Sequence, residues 1–388
     1  MNKIKTRDLK PGQIFSAPVF TEGNNMLVPE MIPLKQKDID LLNSWGMEFA
    51  ATDGEIVELD ELIKEKEKEP PEAQGTIRFS ISDVRQNSGP YRLYKSLIDK
   101  LNAVFAGIKS GSDVPMQAVD SITVQLLQDL KNNPNSFVDF ILGGEVIGSE
   151  LAKNSVNTAI LSALTAQELK IPNHKINNIV SAALIHDVGM LRLSKGITEK
   201  KGGLSNAELE QIKSHPVHTS NIVSKELYGA KEISLIALQH HERWDGKGYP
   251  DGLMGPAIEI GARIVSAADA FEAMVSKKSY RNSLVGYQAI KNLMADNERR
   301  FDPEVIIAFT KIMGIYPIGS IVRLNDFSVA RVVSLNTEAP LRPVVQMLMD
   351  DKGKVFGSRD VVTVDLLAEK KLFIKNAINP DEYNGANV

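Results

Sequence analysis

Residues 90–315 constrain the fold most strongly, because apolar side chains recur there in steps of three and four positions. The pattern is clear over residues 93–105, again over 156–164, and again over 176–184. Such spacing places the apolar side chains along one face of each helix, where they can pack against neighbouring helices. The sequence therefore predicts an all-helical domain over this segment.

The segments on either side of this domain have a different pattern. Residues 1–54 alternate short apolar runs with turn residues, which predicts a small N-terminal α+β module with a helix at about 36–46. From 316 to 388 the apolar residues alternate with period two, which predicts a small β-rich C-terminal extension. Residues 55–89 begin with a run of acidic residues and lysines and are typical of a charged linker. The overall prediction is a mainly α protein.

Composition excludes several classes of function. The 388-residue chain contains no cysteine, so disulfides, thiolate zinc sites, iron–sulfur clusters and cysteine nucleophiles are excluded. Lys+Arg number 45 and Asp+Glu number 49, a balance that argues against a DNA or RNA duplex as partner. The N-terminus is polar, and no apolar run approaches the roughly 20 residues of a membrane span. We therefore expect a cytoplasmic protein with no membrane partner.

The histidines indicate where the chemistry lies. Five of the six fall within 56 residues: His186, His215, His218, His240 and His241. Asp187 adjoins the first of them, and Asp269 lies in an alanine-rich helix. Imidazole and carboxylate without thiolate are the ligands of Mn, Fe, Co, Ni or Zn.

Taken together, these residues predict a two-metal site that cleaves a phosphodiester, with Asp187 bridging the two ions. Each residue alone has another explanation. A single histidine is often a hydrogen-bonded core or surface residue, and Asp269 could cap a helix or pair with Arg263. One site explains them all at once.

The segment after the double histidine is a second candidate. Residues 241–252 contain two Asp-Gly steps, which predict a tight, irregular loop. Arg243 and Lys247 suit phosphate, while Trp244 and Tyr249 suit stacking on a base or closing a pocket. The alternative is a plain connector between two helices.

These residues form a recognisable pattern: His186-Asp187-x-Gly189, His215-Pro216, His240-His241-Glu242-x-x-Asp245-Gly-x-Gly248-Tyr249-Pro250, Asp269-Ala-Phe and Tyr280-Arg281. Over roughly residues 140–315 it resembles the HD-GYP family, the HD-superfamily phosphodiesterases that cleave the bacterial second messenger cyclic di-GMP. The resemblance implies an all-helical HD fold, two transition-metal ions (iron or manganese, with a third left open) and linear pGpG or GMP as product.

The resemblance also assigns roles to individual residues. Its metal ligands are His186, Asp187, His215, His240, His241 and Asp269, with Glu150 matching a glutamate that supports a third ion in some members. Asp187 and His186 are the residues assigned to catalysis. The substrate-binding residues are Gly248, Tyr249, Pro250 and Arg281, to which the loop adds Arg243 and Lys247.

Two positions depart from the family pattern. Asn154 stands where the family has a histidine ligand, and Met190 stands where His-Asp-x-Gly is normally followed by lysine. An amide oxygen is a poorer transition-metal ligand than imidazole. Three functions therefore compete: an active cyclic di-GMP phosphodiesterase, a catalytically impaired relative that binds cyclic di-GMP or a partner protein, and an HD phosphohydrolase for another nucleotide. The helices at 90–130 leave a homodimer open.

Overall fold

A computed structural model describes most of residues 2–57 and 89–378. The positions outside the described residues are 1, 12, 16, 18, 22–25, 29–33, 35, 37–38, 41, 43–46, 48, 58–88, 133, 144–149, 199, 201, 277–285, 298, 337–338, 357–360 and 379–388. The chain divides into two compact units, residues 1–71 and 72–388. Most of the predicted charged linker at 55–89 lies outside the described residues.

The first unit is a small α+β module. Its strands are β1 (Asn2–Lys5), β2 (Ile14–Phe15), β3 (Val19–Thr21), β4 (Met26–Val28), β5 (Phe49–Thr52) and β6 (Ile56–Val57). The sheet has the order β1-β5-β3-β4, and β2 pairs antiparallel with β6, which lies beyond residue 54. A helix was predicted at 36–46. Its described residues, Gln36, Ile39, Asp40 and Leu42, are helical, and the other positions of this range lie outside the described residues.

The second unit begins with twelve α-helices in its described part. They are α1 (Gly89–Ser110), α2 (Met116–Asn132), α3 (Pro134–Gly143), α4 (Glu150–Glu168), α5 (Asn173–Ile185), α6 (Lys195–Thr198), α7 (Asn206–Lys213), α8 (His215–Asn221), α9 (Lys231–Gln239), α10 (Ile260–Val275), α11 (Gly286–Ala295) and α12 (Pro303–Met313). A 3-10 turn, Val188–Arg192, follows α5. The predicted helical domain is confirmed.

Helix α4 is central to this domain, because it packs against α1, α5, α10 and α12. Its small side chains, including Ala152, Ala159 and Ala163, are fully buried. Small residues let neighbouring helix backbones approach closely, and the apolar stripes predicted from the sequence form one continuous core. This core supports the C-terminal ends of α5 and α9 and the middle of α10, where the candidate site lies.

The second unit ends with a β module. Its strands are β7 (Ile321–Leu324), β8 (Val329–Ser334), β9 (Val344–Met349), β10 (Thr363–Asp365) and β11 (Ile374–Ile378). They form one antiparallel sheet in the order β10-β9-β8-β7-β11. Tyr316 joins the module to the helices by stacking on Tyr287 of α11, with ring centroids 5.0 Å apart. No helix among the described residues combines the length and apolar character needed to cross a lipid bilayer.

Candidate metal centre

Three buried histidines, His186, His215 and His240, share one ring orientation, in which Nδ1 is hydrogen-bonded to the backbone and Nε2 faces the Asp187 carboxylate. The Nδ1–H groups of His186, His215 and His240 donate to the carbonyl oxygens three residues earlier, each at 2.7 Å. A carbonyl oxygen can only accept, so Nδ1 carries the proton and the neutral ring keeps its lone pair on Nε2. This arrangement orients a histidine for metal binding through Nε2.

The Asp187 carboxylate divides these nitrogens into two groups. Its Oδ1 lies 3.1 Å from His215 Nε2 and 3.7 Å from His240 Nε2. Its Oδ2 lies 3.7 Å from His186 Nε2, and that nitrogen lies 3.5 Å from Asp269 Oδ1. The structure thus brings together the residues that we call the His–Asp cluster: His186, Asp187, His215, His240, His241 and Asp269.

The donor atoms of the cluster fit metal ions. Ligands about 2.1 Å from an ion lie roughly 3.0–3.4 Å from one another, and His215 Nε2 and His240 Nε2 are 3.3 Å apart. The ligand atoms of Asp187, His215, His240 and His241 all lie within 4.8 Å of one another. His186 Nε2 is buried and has no hydrogen-bond partner. A buried nitrogen without a partner is costly. Coordination of a metal ion by His186 Nε2 would supply the missing partner.

Charge in the cluster is concentrated on Asp187 and Asp269. Burial works against the charged form of His186, but the two carboxylates prevail and raise its pKa to about 9. Burial and the neighbouring histidines hold the pKa of His240 well below its ordinary value, and burial lowers that of His241 to about 4. Burial opposes ionisation of Asp187, yet the surrounding imidazoles hold its pKa well below the usual range. Two anions thus face His240 and His241, which stay neutral at pH 7, and His186, which does not.

Close packing against α8 requires a glycine at position 189, two residues after Asp187. A Cβ at this position would lie 2.2 Å from the His215 carbonyl oxygen and 2.7 Å from the Thr219 backbone nitrogen. The Gly189 N–H donates to Thr219 Oγ at 2.9 Å, and the Thr219 hydroxyl donates to the His186 carbonyl oxygen at 2.9 Å. This close contact holds the start of α8, and therefore His215, against Asp187.

The loop after the double histidine, residues 241–255, is organised around Glu242 and is called here the signature loop. The Glu242 carboxylate is 3% exposed. Its Oε1 accepts hydrogen bonds from the backbone N–H groups of Asp251 (2.7 Å) and Gly252 (3.1 Å), and Oε2 accepts one from Leu253 (3.0 Å). A carboxylate that binds three backbone donors fixes a loop firmly, because each of these bonds is charge-assisted.

The signature loop brings Tyr249 onto the His–Asp cluster. The Tyr249 ring stacks on His241, with centroids 4.9 Å apart and planes 29° apart. Burial first, and then the nearby carboxylates, raises the pKa of Tyr249, so its hydroxyl stays protonated. A Cβ at Gly248 would lie 2.4 Å from the Arg243 backbone nitrogen, so this position requires glycine. Pro250 follows a cis peptide bond and is exposed.

The two predicted cations of the signature loop differ in their surroundings. Arg243 forms a bidentate pair with Asp245 inside the loop, Nε to Oδ1 at 3.0 Å and Nη2 to Oδ2 at 2.8 Å. Lys247 is exposed, and its ammonium makes no ion pair with any described residue. Asp245 also accepts the Lys247 backbone N–H at 3.2 Å. Arg243 therefore shapes the loop, whereas Lys247 faces solvent.

Two other predicted site residues are not among those that the described structure brings into the His–Asp cluster. Glu150 is the exposed first residue of α4, and within the described residues its carboxylate makes no hydrogen bond or ion pair with the His–Asp cluster. Arg281 lies outside the described residues. Asp269 does not pair with Arg263, which binds Asp302 at 3.0 Å instead.

Asn154 belongs to a buried polar network. In the amide orientation that satisfies both of its polar atoms, the nitrogen donates to Glu272 Oε1 at 3.0 Å and to the Glu150 carbonyl oxygen at 3.1 Å. Asn157 also donates to Glu272 Oε1, at 3.2 Å, and accepts a hydrogen bond from the Tyr94 hydroxyl. The network links α1, α4 and α10, so Asn154 helps to hold the core together.

Sequence reasoning missed the anchoring roles of Glu242, Thr219 and Glu272. Glu242 stands inside the quoted motif, and its position directly after two ligands was the available signal. Thr219 had a weaker signal, four residues after His215 and therefore on the same helical face. Glu272 had none, since its partners Asn154 and Asn157 both come from α4, which is far away in the sequence. The apolar spacing over 176–184 also did not reveal that α5 ends at Ile185 and that Asp187 precedes a separate 3-10 turn.

Comparison with known proteins agrees with this architecture. A family model described as "HD domain" matches residues 147–305, and one described as "KOW domain associated with HD domain" matches residues 321–386. An HD domain implies a divalent-metal site, and the cluster of Asp and His residues is present.

Three curated relatives are similar to the chain. Cyclic di-GMP phosphodiesterase PdeB of Borreliella burgdorferi is 26% identical over 91% of this chain and 90% of its own length. The response regulator RpfG of Xanthomonas campestris, also named a cyclic di-GMP phosphodiesterase, is 36% identical over 39% of this chain and 40% of its own. A 3'3'-cGAMP-specific phosphodiesterase 3 of Vibrio cholerae is 32% identical over 43% of this chain and 36% of its own. The chain thus spans nearly all of the first relative but less than half of the other two.

The fold and the site define this chain as an HD-domain protein, with the His–Asp cluster at the centre of the domain. The predicted resemblance to the HD-GYP family is confirmed, because residues 147–305 match the HD-domain model and the curated relatives include cyclic di-GMP phosphodiesterases.

Proposed function

We propose that this chain is a metal-dependent phosphodiesterase that hydrolyses cyclic di-GMP to linear pGpG or GMP. The observation that carries the proposal is the division of donors around Asp187, whose two carboxylate oxygens face different groups of imidazoles. The curated names of PdeB and RpfG support the choice of cyclic di-GMP.

The cluster residues would hold two ions in the following way. His215, His240 and His241 converge with Asp187 Oδ1 on one side. On the other side are His186, Asp187 Oδ2 and Asp269. Two ions held by these residues would ionise a water for in-line attack and would neutralise the charge that develops on the phosphate. Asp187 has 29% and Asp269 21% of its side chain exposed, so the carboxylates, and not the buried imidazoles, border solvent.

The remaining residues bind and orient the substrate. Tyr249 covers His241 and keeps its proton, so its hydroxyl can donate to a phosphate or base oxygen. Lys247 offers an exposed positive charge on the signature loop. Iron or manganese fits the donor set of imidazole and carboxylate. A third ion at Glu150, a role for Arg281, a cytoplasmic location, protein partners and homodimerisation stay predictions of the sequence.

Turnover by the metal-loaded protein tests the proposal. Purified full-length chain is supplied with Mn²⁺ or Fe²⁺ and incubated separately with cyclic di-GMP and 3'3'-cGAMP, and products are separated by chromatography. We expect linear pGpG or GMP from cyclic di-GMP. Asp187→Asn is expected to lower kcat at least 100-fold, because both ions depend on this residue. Asp113→Asn, an exposed residue between α1 and α2, is the matched control and should retain full activity.

Two alternatives give different results in the same assay. A protein that binds cyclic di-GMP without cleaving it is favoured by Asn154, whose amide is committed to Glu272, and by Met190, which offers neither charge nor a strong donor. Binding without product would establish that function. Preferential cleavage of 3'3'-cGAMP would instead establish the specificity named for the Vibrio relative.

A further inference from the structure

The donors on one side of Asp187 are mainly nitrogens. Asp187 Oδ1 faces the Nε2 atoms of His215 and His240 at 3.1 and 3.7 Å. His241 completes this group, because the ligand atoms of the four residues all lie within 4.8 Å of one another. We call the group the imidazole side. It offers an ion three imidazole nitrogens and one carboxylate oxygen.

The donors on the other side of Asp187 are mainly oxygens. Asp187 Oδ2 lies 3.7 Å from His186 Nε2, and Asp269 Oδ1 lies 3.5 Å from the same nitrogen. Among the described residues, Asp269 does not belong to the set whose ligand atoms lie together on the imidazole side. We call His186, Asp187 Oδ2 and Asp269 the carboxylate side. It offers an ion one imidazole nitrogen and oxygens from two anions.

The two sides also differ in their access to solvent. The imidazoles of His215 and His240 are buried, whereas the carboxylates of Asp187 and Asp269 are partly exposed. The Nδ1–H of each of these two rings is committed to a backbone carbonyl, so the rings present only Nε2 to an ion. The carboxylate side therefore borders solvent, and an ion bound there can keep part of its water.

Different elements carry the two sides. The imidazole side comes from the first residue of α8 and from the two residues that follow α9. The carboxylate side comes from the two residues that follow α5 and from the middle of α10. Asp187 belongs to both sides. A substitution at His241 therefore alters the imidazole side alone, and one at Asp269 alters the carboxylate side alone.

We propose that the two sides select different metal ions: a later transition-metal ion, from Fe²⁺ to Zn²⁺, on the imidazole side, and Mn²⁺ or Mg²⁺ on the carboxylate side. This inference rests on the two-ion site of the proposed function. Imidazole suits Fe, Ni, Cu and Zn, whereas carboxylate and water suit Mg and Mn. Mg²⁺ also keeps several waters and binds through one or two carboxylates, which is what the solvent-bordering side provides. The chain then holds a mixed-metal centre when both kinds of ion are present, and Mn²⁺ alone fills both sides.

Competition between Co²⁺ and Mn²⁺ tests the proposal in solution, with Co²⁺ as the later ion because it is stable in air. Full-length Asp269→Asn and His241→Gln proteins each receive about one equivalent of both ions, free metal is removed, and bound metal is counted by mass spectrometry. Asp269→Asn keeps the imidazole side intact, so its bound Co:Mn ratio should exceed that of His241→Gln roughly 10-fold or more. Asp113→Asn, exposed between α1 and α2, is the control and should match the wild type. Equal ratios in Asp269→Asn and His241→Gln would overturn the proposal.

Anomalous diffraction locates the two ions in the wild type. Crystals of the full chain loaded with Co²⁺ and Mn²⁺ are measured at the absorption edge of each element. We expect the Co peak beside His215 and His240 and the Mn peak beside His186 and Asp269. Equal peaks of both elements on the two sides, or the reverse assignment, would overturn the proposal. Should either variant not fold, these peaks decide alone.

Metal analysis needs no turnover, so this inference and the proposed function fail separately. If Co²⁺ and Mn²⁺ occupy their expected sides but cyclic di-GMP is not cleaved, hydrolysis is refuted and the selectivity of the two sides stands. If cyclic di-GMP is cleaved but both ions are distributed equally over the two sides, only the selectivity is refuted.

Discussion

Replacing Glu242 by glutamine is the most informative change in the signature loop, because it keeps the size of the side chain and removes its charge. In the wild type Oε1 accepts two backbone N–H groups and Oε2 accepts a third. An amide oxygen can keep the first two bonds, but they lose their charge assistance, at about 1 kcal/mol each. The amide nitrogen would face the Leu253 N–H, donor against donor, and leaving that buried group unsatisfied costs about 1–3 kcal/mol.

These losses come to about 3–5 kcal/mol, and they fall on the loop and not on the helical core. We therefore expect the loop to open locally. Hydrogen exchange of the Asp251, Gly252 and Leu253 amides should accelerate roughly 100-fold or more, since about 1.4 kcal/mol corresponds to tenfold. Tyr249 should lose its fixed position on His241, and KM for cyclic di-GMP should rise.

Glu210→Gln is the matched control. Glu210 is an exposed glutamate paired with Lys213 three residues later, and such surface pairs contribute about 0–1 kcal/mol. Its substitution should leave exchange of the three loop amides unchanged. If Glu242→Gln protects those amides as well as Glu210→Gln does, the Glu242 carboxylate does not anchor the loop and the reasoning is refuted.

Three further predictions concern the cluster and its support. Gly189→Ala should weaken Mn²⁺ binding 10- to 100-fold by displacing His215, whereas Gly196→Ala, with open space around its Cβ, should not; equal affinities in an equilibrium titration would contradict this. Metal binding must displace the proton of His186, whose pKa is about 9. The affinity for Mn²⁺ should therefore rise about tenfold per pH unit from pH 7 toward 9 and then level off. A fluorescent competition assay measures this affinity, and a flat pH profile would contradict the prediction. Tyr94→Phe should lower the free energy of unfolding in urea by about 1–3 kcal/mol, because the buried Asn157 oxygen loses its hydrogen-bond donor. Tyr228→Phe is the control and should change it little, because Tyr228 is 81% exposed. Equal urea midpoints for the two variants would show that the network does not stabilise the fold.

The helical domain was accessible from the sequence because its signal is local. Apolar spacing over residues 93–105 and 176–184 predicts helices that the structure confirms as parts of α1 and α5. The end of α5 was not predictable from apolar spacing alone. His186 and Asp187 continue an apolar run, yet the chain leaves the helix at Ile185 so that the Asp187 carboxylate can reach His215.

Strands depend on distant partners and were predicted less completely. The period-two alternation noted over 316–388 is clear in β9, where every second residue is buried. Strand β11 was missed, because Ile374–Ile378 has a mixed composition and is defined by pairing with β7, some fifty residues earlier. Strand β1 was missed for the same reason, since its partner is β5.

The same distinction applies to the site. Six of the predicted ligands lie together, because His-Asp and His-His pairs at the ends of buried helices have little other use. What sequence could not reveal is which cations are already paired. Arg243 was predicted to bind phosphate, but the structure shows it in a bidentate pair with Asp245. Arg300, nearly sixty residues away in the chain, is brought to the loop by backbone hydrogen bonds that no local pattern records.

The central claim is that Asp187 joins two groups of ligands into one two-metal site. The most direct test is the Mn²⁺ content of the purified full chain after loading and removal of free metal, measured by mass spectrometry for the wild type and for Asp187→Ala. We predict two ions per chain in the wild type and at most one in the variant, because both groups share this carboxylate. One ion or none in the wild type, or two ions retained in Asp187→Ala, would contradict the account.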